Sequence, residues 1–159
     1  RGKKDAPFMG KKLFESGFMP DRVFSSPAKR AKFTAMEICK AMRFNVDDIH
    51  WESMLYGAGT SDLLHLINKL NNNTNTVCIF GHNPTLTDFS NYLTGEHIYN
   101  IPTCGVVKIS FENKYNYEPD YRLTLQFEMF FGNQEGLKRG LNRYRYNFIH
   151  LYIQRIGGT

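Results

Sequence analysis

Two short stretches of this chain combine residue types that do chemistry with a spacing that would present them. The first is Val77-Cys78-Ile79-Phe80-Gly81-His82-Asn83-Pro84. Its apolar run reads as a buried strand, Gly81 as a tight turn and His82 as the residue at the strand's end. Asn83 is a good N-cap and Pro84 a good first residue for the helix that follows. A histidine at the carboxyl end of a strand, beside the positive end of a helix, is placed to meet an anion. The second stretch is Phe24-Ser25-Ser26-Pro27-Ala28-Lys29-Arg30-Ala31. Here Ser26-Pro27 ends a short strand, and Arg30 falls in the first turn of a helix. A parallel sheet would bring both junctions to one edge, where a bidentate guanidinium suits phosphate geometry. Singly, each residue has an ordinary explanation: a capping histidine, a solvated arginine, and a core cysteine at Cys78. It is the pair of matched junctions that points to a phosphate pocket built by Arg30 and His82.

The elements that must hold these residues follow from hydrophobic spacing. Residues 2–16 read as a helix with Ala6, Met9, Leu13 and Phe14 inward, closed by Gly17. Arg22 to Ser25 reads as a strand. Residues 28–42 form a helix with Ala31, Ala35, Ile38 and Met42 on one face. Residues 49–55 suit a short strand. Thr60 or Ser61 caps a helix over 62–70 whose stripe is Leu63, Leu64, Ile67 and Leu70. After the polar run Asn71 to Asn75 come the opening strand and its helix, which ends near Gly95. Residues 106–111 and 123–131 alternate as a hairpin around a turn region at 113–120. Strands alternating with helices imply βαβ units. The expected class is α/β, a three-layer sandwich with a mainly parallel central sheet and helices on both faces.

Length and composition set the outer bounds. A chain of 159 residues is one domain with room for a real core. Residues 1–131 carry the α/β pattern. Residues 132–159 are basic and tyrosine-rich, and read either as an added strand or helix of the same domain or as a loosely attached tail. The net charge of +5 suits acidic or phosphorylated partners, but it gathers toward the two ends and no nucleic-acid motif accompanies it. Three cysteines, Cys39, Cys78 and Cys104, are an odd number without metal-ligand spacing, as expected of reduced thiols in a cytoplasmic protein. No apolar run is long enough to span a bilayer. Neither a metal nor another cofactor is expected, and the oligomeric state is left open.

With these residues in view, the chain resembles the histidine phosphatase superfamily, of phosphoglycerate mutase-like fold. Ser25-Ser26-Pro27-x-x-Arg30-Ala31-x-x-Thr34-Ala35 and Gly81-His82-Asn83-Pro84 are similar to that family's second and third signatures. The branch they most resemble is that of the short SixA-like phosphohistidine phosphatases. The opening Arg1-Gly2-Lys3-Lys4-Asp5-Ala6-Pro7 resembles the helix that follows the first signature in that branch. Tyr56-Gly57 and Pro102-Thr103-Cys104-Gly105-Val106 fit it as well. The resemblance covers about residues 1–111. It implies phosphoryl transfer through a covalent phosphohistidine, in which Arg30 and His82 hold the equatorial oxygens. Asn83 would help with a side-chain or backbone donor, and Ser25 would line the pocket. Positive donors stabilise the charge that spreads over those oxygens, and a histidine nucleophile splits one displacement into two. A phosphoramidate leaving group needs little acid help, and Glu52 is the nearest candidate acid.

The family's nucleophile stands in an Arg-His-Gly motif, which does not occur in these 159 residues. The expectation is that it lies upstream of Arg1. The alternative is that Phe148 to Thr159 fills the first-strand position, with Arg155-Ile156-Gly157 echoing the motif and Ile156 replacing the histidine. Such a chain would bind phosphate without catalysing. The functional expectation is a phosphatase for phosphohistidine on a signalling or phosphotransfer protein. Its rivals are a small-molecule phosphatase or mutase on the same fold, and a non-catalytic phosphate- or phosphoprotein-binding module.

Overall fold

Every second residue of the strand at the centre of the chain is apolar toward one face, and the residues between are apolar toward the other. Such a strand needs cover on both sides. The computed structural model of the chain, which describes residues 2–71, 73–111, 126–130 and 149–155, supplies that cover. In chain order the elements are α1 (Gly2–Glu15), β1 (Arg22–Ser25), α2 (Lys29–Ala41), β2 (Ile49–Trp51), α3 (Thr60–Asn68), β3 (Thr76–Gly81), α4 (Thr85–Thr94), β4 (Gly105–Phe111), β5 (Gln126–Phe130) and β6 (Ile149–Arg155). Short 3-10 turns, Val46–Asp48 and Ser53–Leu55, flank β2.

The described strands form one sheet in the order β2-β1-β3-β6-β4-β5. The β2-β1-β3 block is parallel, as βαβ connections through α2 and α3 require. β4 and β5 pair antiparallel, as a hairpin does. β6 lies between the two groups, antiparallel to β3 and parallel to β4. The turn expected at 113–120, the boundary set at 131/132 and the basic tyrosine-rich run up to 148 lie outside the described residues.

All six residues of β3 are buried. Val77 and Ile79 face a core shared with Leu63 and Ile67 of α3 and with Leu86, Phe89 and Leu93 of α4. Cys78 and Phe80 face the opposite core, built from Ala6, Met9 and Leu13 of α1 and Ala35, Ile38 and Cys39 of α2. The three layers, with helices on both faces, are therefore as the periodicity indicates. Three details differ. Phe14 is 36% exposed rather than inward. β2 stops at Trp51, because the backbone N–H of Glu52 turns to the Ser25 carbonyl at 2.9 Å and a 3-10 turn follows. α3 starts at Thr60, with the Gly59 N–H capped by the Asp62 carboxylate at 2.8 Å, and its innermost residues are Leu63, Leu66 and Ile67. Leu64 and Leu70 are only partly buried against that core. Among the described residues no helix is long and apolar enough to cross a membrane.

Candidate functional site

The parallel register places Ser25 of β1 level with Phe80 of β3. Both strands therefore release their chains at the same edge. One step beyond that pair, the Ser26 N–H donates to the Phe80 carbonyl at 3.0 Å. The Glu52 N–H on the Ser25 carbonyl brings the chain after β2 to the same edge. Three crossovers thus open side by side, the arrangement in which α/β sheets gather ligands.

His82 is the first residue after β3 and is half-buried. Its Nε2 lies 2.8 Å from the Ser26 hydroxyl oxygen. Ser26 is fully buried, and the same oxygen accepts the Ala28 N–H at 3.3 Å. The Tyr56 ring meets the imidazole edge-on, with centroids 5.5 Å apart and planes at 89°. Tyr56 is 71% exposed, so the histidine lies between a buried hydroxyl and a solvent-facing aromatic. Burial lowers the His82 pKa from its ordinary value, which leaves the ring neutral at pH 7. Gly81 serves this geometry through space rather than through an unusual turn. A Cβ there would sit 3.2 Å from Leu86 Cδ1, so glycine lets the first turn of α4 fold back over the end of β3.

Arg30 is the second residue of α2 and is exposed. It stands on the helix that leaves the edge four residues after Ser26. Lys29 and Lys32 are exposed on the same turns, and Lys32 Nζ lies 5.0 Å from the Trp51 ring centroid at the end of β2. One side of the edge is therefore a basic rim on α2, and the other is the neutral His82-Ser26 pair.

The remaining candidates take internal partners. Ser25 is fully buried, and its hydroxyl donates to the Ser26 carbonyl at 3.0 Å. The Asn83 amide nitrogen donates to Asn100 Oδ1 at 2.7 Å and to the Ile101 carbonyl at 2.9 Å. Its oxygen accepts the Thr87 hydroxyl at 2.7 Å. Asn83 is not the N-cap that its type suggests. α4 begins at Thr85 with Pro84 in the cap position and no side-chain cap. The side-chain oxygen that a cap would have used accepts the Thr87 hydroxyl instead. Ser26 is the residue that sequence reasoning passed over. Its signal was present in its place immediately before Pro27, at the last turn out of β1.

β6 bears on one alternative at the level of the backbone. Ile149 pairs with both Gly81 and Gly105, so the amino end of β6 lies at the His82 edge. Gln154 pairs with Thr76, at the opposite end of β3, and Arg155 pairs with Phe111. A strand rises about 3.3 Å per residue, so Arg155 lies roughly 20 Å along the sheet from that edge. Arg155 therefore does not lie beside His82, because β6 runs against β3. Residues 156–159 themselves lie outside the described residues. Among the described residues no group of three or more His, Cys, Asp or Glu side chains gathers to hold a metal ion.

No family model and no curated protein matches the chain. One solved structure does: the crystal structure of the "putative phosphohistidine phosphatase SixA" from Agrobacterium tumefaciens. It is 25% identical, with a TM-score of 0.53, over 64% of this chain and 68% of that one. The sheet with α1 and α2 on one face and α3 and α4 on the other has the SixA-type, phosphoglycerate mutase-like α/β fold.

Proposed function

We propose that this chain is a phosphatase of the histidine phosphatase type, acting on phosphohistidine carried by a signalling or phosphotransfer protein. The observation that carries this reading is the shared edge, where His82 is locked to the end of β1 through Ser26 and the basic first turn of α2 rises beside it. The fold likeness to a SixA structure supports it. In this reading Arg30 takes two phosphoryl oxygens with its guanidinium, and His82 donates to a third. The N-terminus of α2 adds its dipole. Ser25 and Asn83 act through the backbone they hold, because their side chains are engaged within the protein. The nucleophile is assigned to a histidine preceding Arg1, an assignment that rests on the family resemblance. It attacks phosphorus in line as the phosphoramidate nitrogen leaves, and water then hydrolyses the new phosphohistidine.

The test is a full-length chain with its natural upstream residues, assayed on a phosphohistidine protein and on small phosphate esters. Arg30→Ala and His82→Ala should each lower kcat/KM by about 10²- to 10³-fold, the usual effect of removing one preorganised donor. Activity that survives both substitutions would remove the assignment. The rival reading is a module that binds phosphoryl groups without turnover. It predicts phosphate binding dependent on Arg30 and His82, with no phosphoenzyme at any histidine.

A further inference from the structure

We propose that Ser26 is a positioning residue that holds His82 as its Nδ1–H tautomer, so that the imidazole presents a donor on the side away from Ser26. The argument is an accounting of one hydroxyl. Ser26 is 0% exposed, so water does not serve its Oγ. That oxygen already accepts the Ala28 N–H at 3.3 Å. Its proton must be donated somewhere, since a buried hydroxyl without an acceptor is costly. Among the described residues the acceptor within reach is His82 Nε2, at 2.8 Å. A neutral imidazole has one acceptor nitrogen, so if Nε2 accepts, Nδ1 carries the proton. The opposite tautomer would point Nε2–H at Oγ and leave the hydroxyl proton without a partner in a closed site.

The surroundings reinforce the assignment. Ser26 is itself fixed at three atoms: its N–H on Phe80, its carbonyl accepting from Ser25, and its hydroxyl between Ala28 and His82. The Tyr56 ring limits the imidazole from a second side. Ring orientation and proton position are thus both set before any ligand arrives. In the proposed reaction, on which this part of the inference rests, His82 enters as the Nδ1–H tautomer. Ser26 is fully buried and reaches the site through its bond to His82, so its effect on turnover passes through the histidine.

The tautomer is read from ¹⁵N-detected two-bond correlations of the His82 ring in the folded full-length protein, at a pH above its titration. The expected pattern is a protonated Nδ1 and an unprotonated Nε2, with inorganic phosphate moving the Nδ1 resonance more than the Nε2 one. In Ser26→Ala the ring should relax to a mixture of tautomers, and kcat should fall about 10-fold, the worth of one orienting hydrogen bond. Ser26→Thr, which keeps the hydroxyl, should restore the Nδ1–H signature. A protonated Nε2 in the wild-type protein overturns the inference, whether or not Ser26→Ala folds. The two proposals fail separately: an Nδ1–H ring in a protein without phosphatase activity refutes the enzymatic reading and leaves the tautomer assignment in place.

Discussion

Asn83→Ala should cost this protein about 2–4 kcal/mol of folding stability, although the residue stands at a site edge where a polar side chain would ordinarily be assigned to ligand binding. Three hydrogen bonds converge on its amide: to Asn100 Oδ1 at 2.7 Å, to the Ile101 carbonyl at 2.9 Å and from the Thr87 hydroxyl at 2.7 Å. Each is worth about 0.5–1.5 kcal/mol net, and more where a partner is left buried and unsatisfied. Ile101 is 1% exposed and Thr87 is 4% exposed, so water does not easily replace the lost contacts. With a urea m-value of about 1–3 kcal/mol/M, the midpoint should fall by roughly 1–2 M at unchanged m. Asn83→Asp is the sharper perturbation. It keeps the acceptor for Thr87 but replaces the amide donor with an oxygen facing the Ile101 carbonyl, so it should be no less damaging than alanine. Thr87→Val shares the network, since the Thr87 hydroxyl also accepts the Ile101 N–H at 3.3 Å. A double-mutant cycle between Asn83→Ala and Thr87→Val should therefore show a coupling above about 0.5 kcal/mol. Equilibrium urea unfolding followed by circular dichroism measures all of these. A loss below about 0.5 kcal/mol for Asn83→Ala, or additivity in the cycle, would refute the network as the reason for this residue.

Three further outcomes are expected. A Cβ at Gly10 would lie 2.5 Å from the Ile38 carbonyl oxygen and 2.6 Å from Ala41 Cβ, so Gly10→Ala should force α1 off α2 despite alanine's better helix propensity. An overpacking cost of about 1–3 kcal/mol should appear as a Tm lowered by several degrees in a thermal melt. His82 has a folded pKa below its unfolded one, so its contribution to stability is complete above about pH 6.5 and is lost as pH falls through that value toward the lower folded pKa. Urea midpoints measured from pH 7.5 down to 5 should fall more steeply for the wild type than for His82→Gln. Burial pushes the Cys39 and Cys104 thiols up to about 12, and Cys78 is fully buried, so the native protein should react slowly with a thiol reagent at pH 8 while the unfolded chain titrates three thiols.

What the sequence could carry was whatever depends on neighbours one helical turn or one strand step away. Ala31, Ala35, Ile38 and Met42 fall on one face by spacing alone, and all four are buried. The alternation of Val77, Cys78, Ile79 and Phe80 divides cleanly between the two cores. Which leucines face inward was less secure in an apolar-rich helix. In α3, Leu66 is innermost with Leu63 and Ile67, and Leu64 lies at the margin. Contacts between distant residues were not legible at all. The partner of Asn83 lies 17 residues on, and that of His82 lies 56 residues back, so local rules offered a cap for one and named Ser25 rather than Ser26 for the other. The polarity of β6 belongs to the same class: an alternating strand has no direction of pairing written in it.

These long-range contacts tie one half of the candidate site to the sheet. Backbone bonds from Ser26 to Phe80 and from Glu52 to Ser25 fix the three crossovers to the sheet itself, and the Ser26–His82 bond extends that rigidity to a side chain. A donor held this way meets an anion without first losing conformational freedom. Arg30, exposed on the first turn of α2, supplies positive charge at this edge. In the proposed phosphatase reading its guanidinium meets a tetrahedral phosphoryl group through two oxygens at once, which a single carboxylate oxygen or chloride does not offer. The preset neutral donor would then read position, and the bidentate cation geometry.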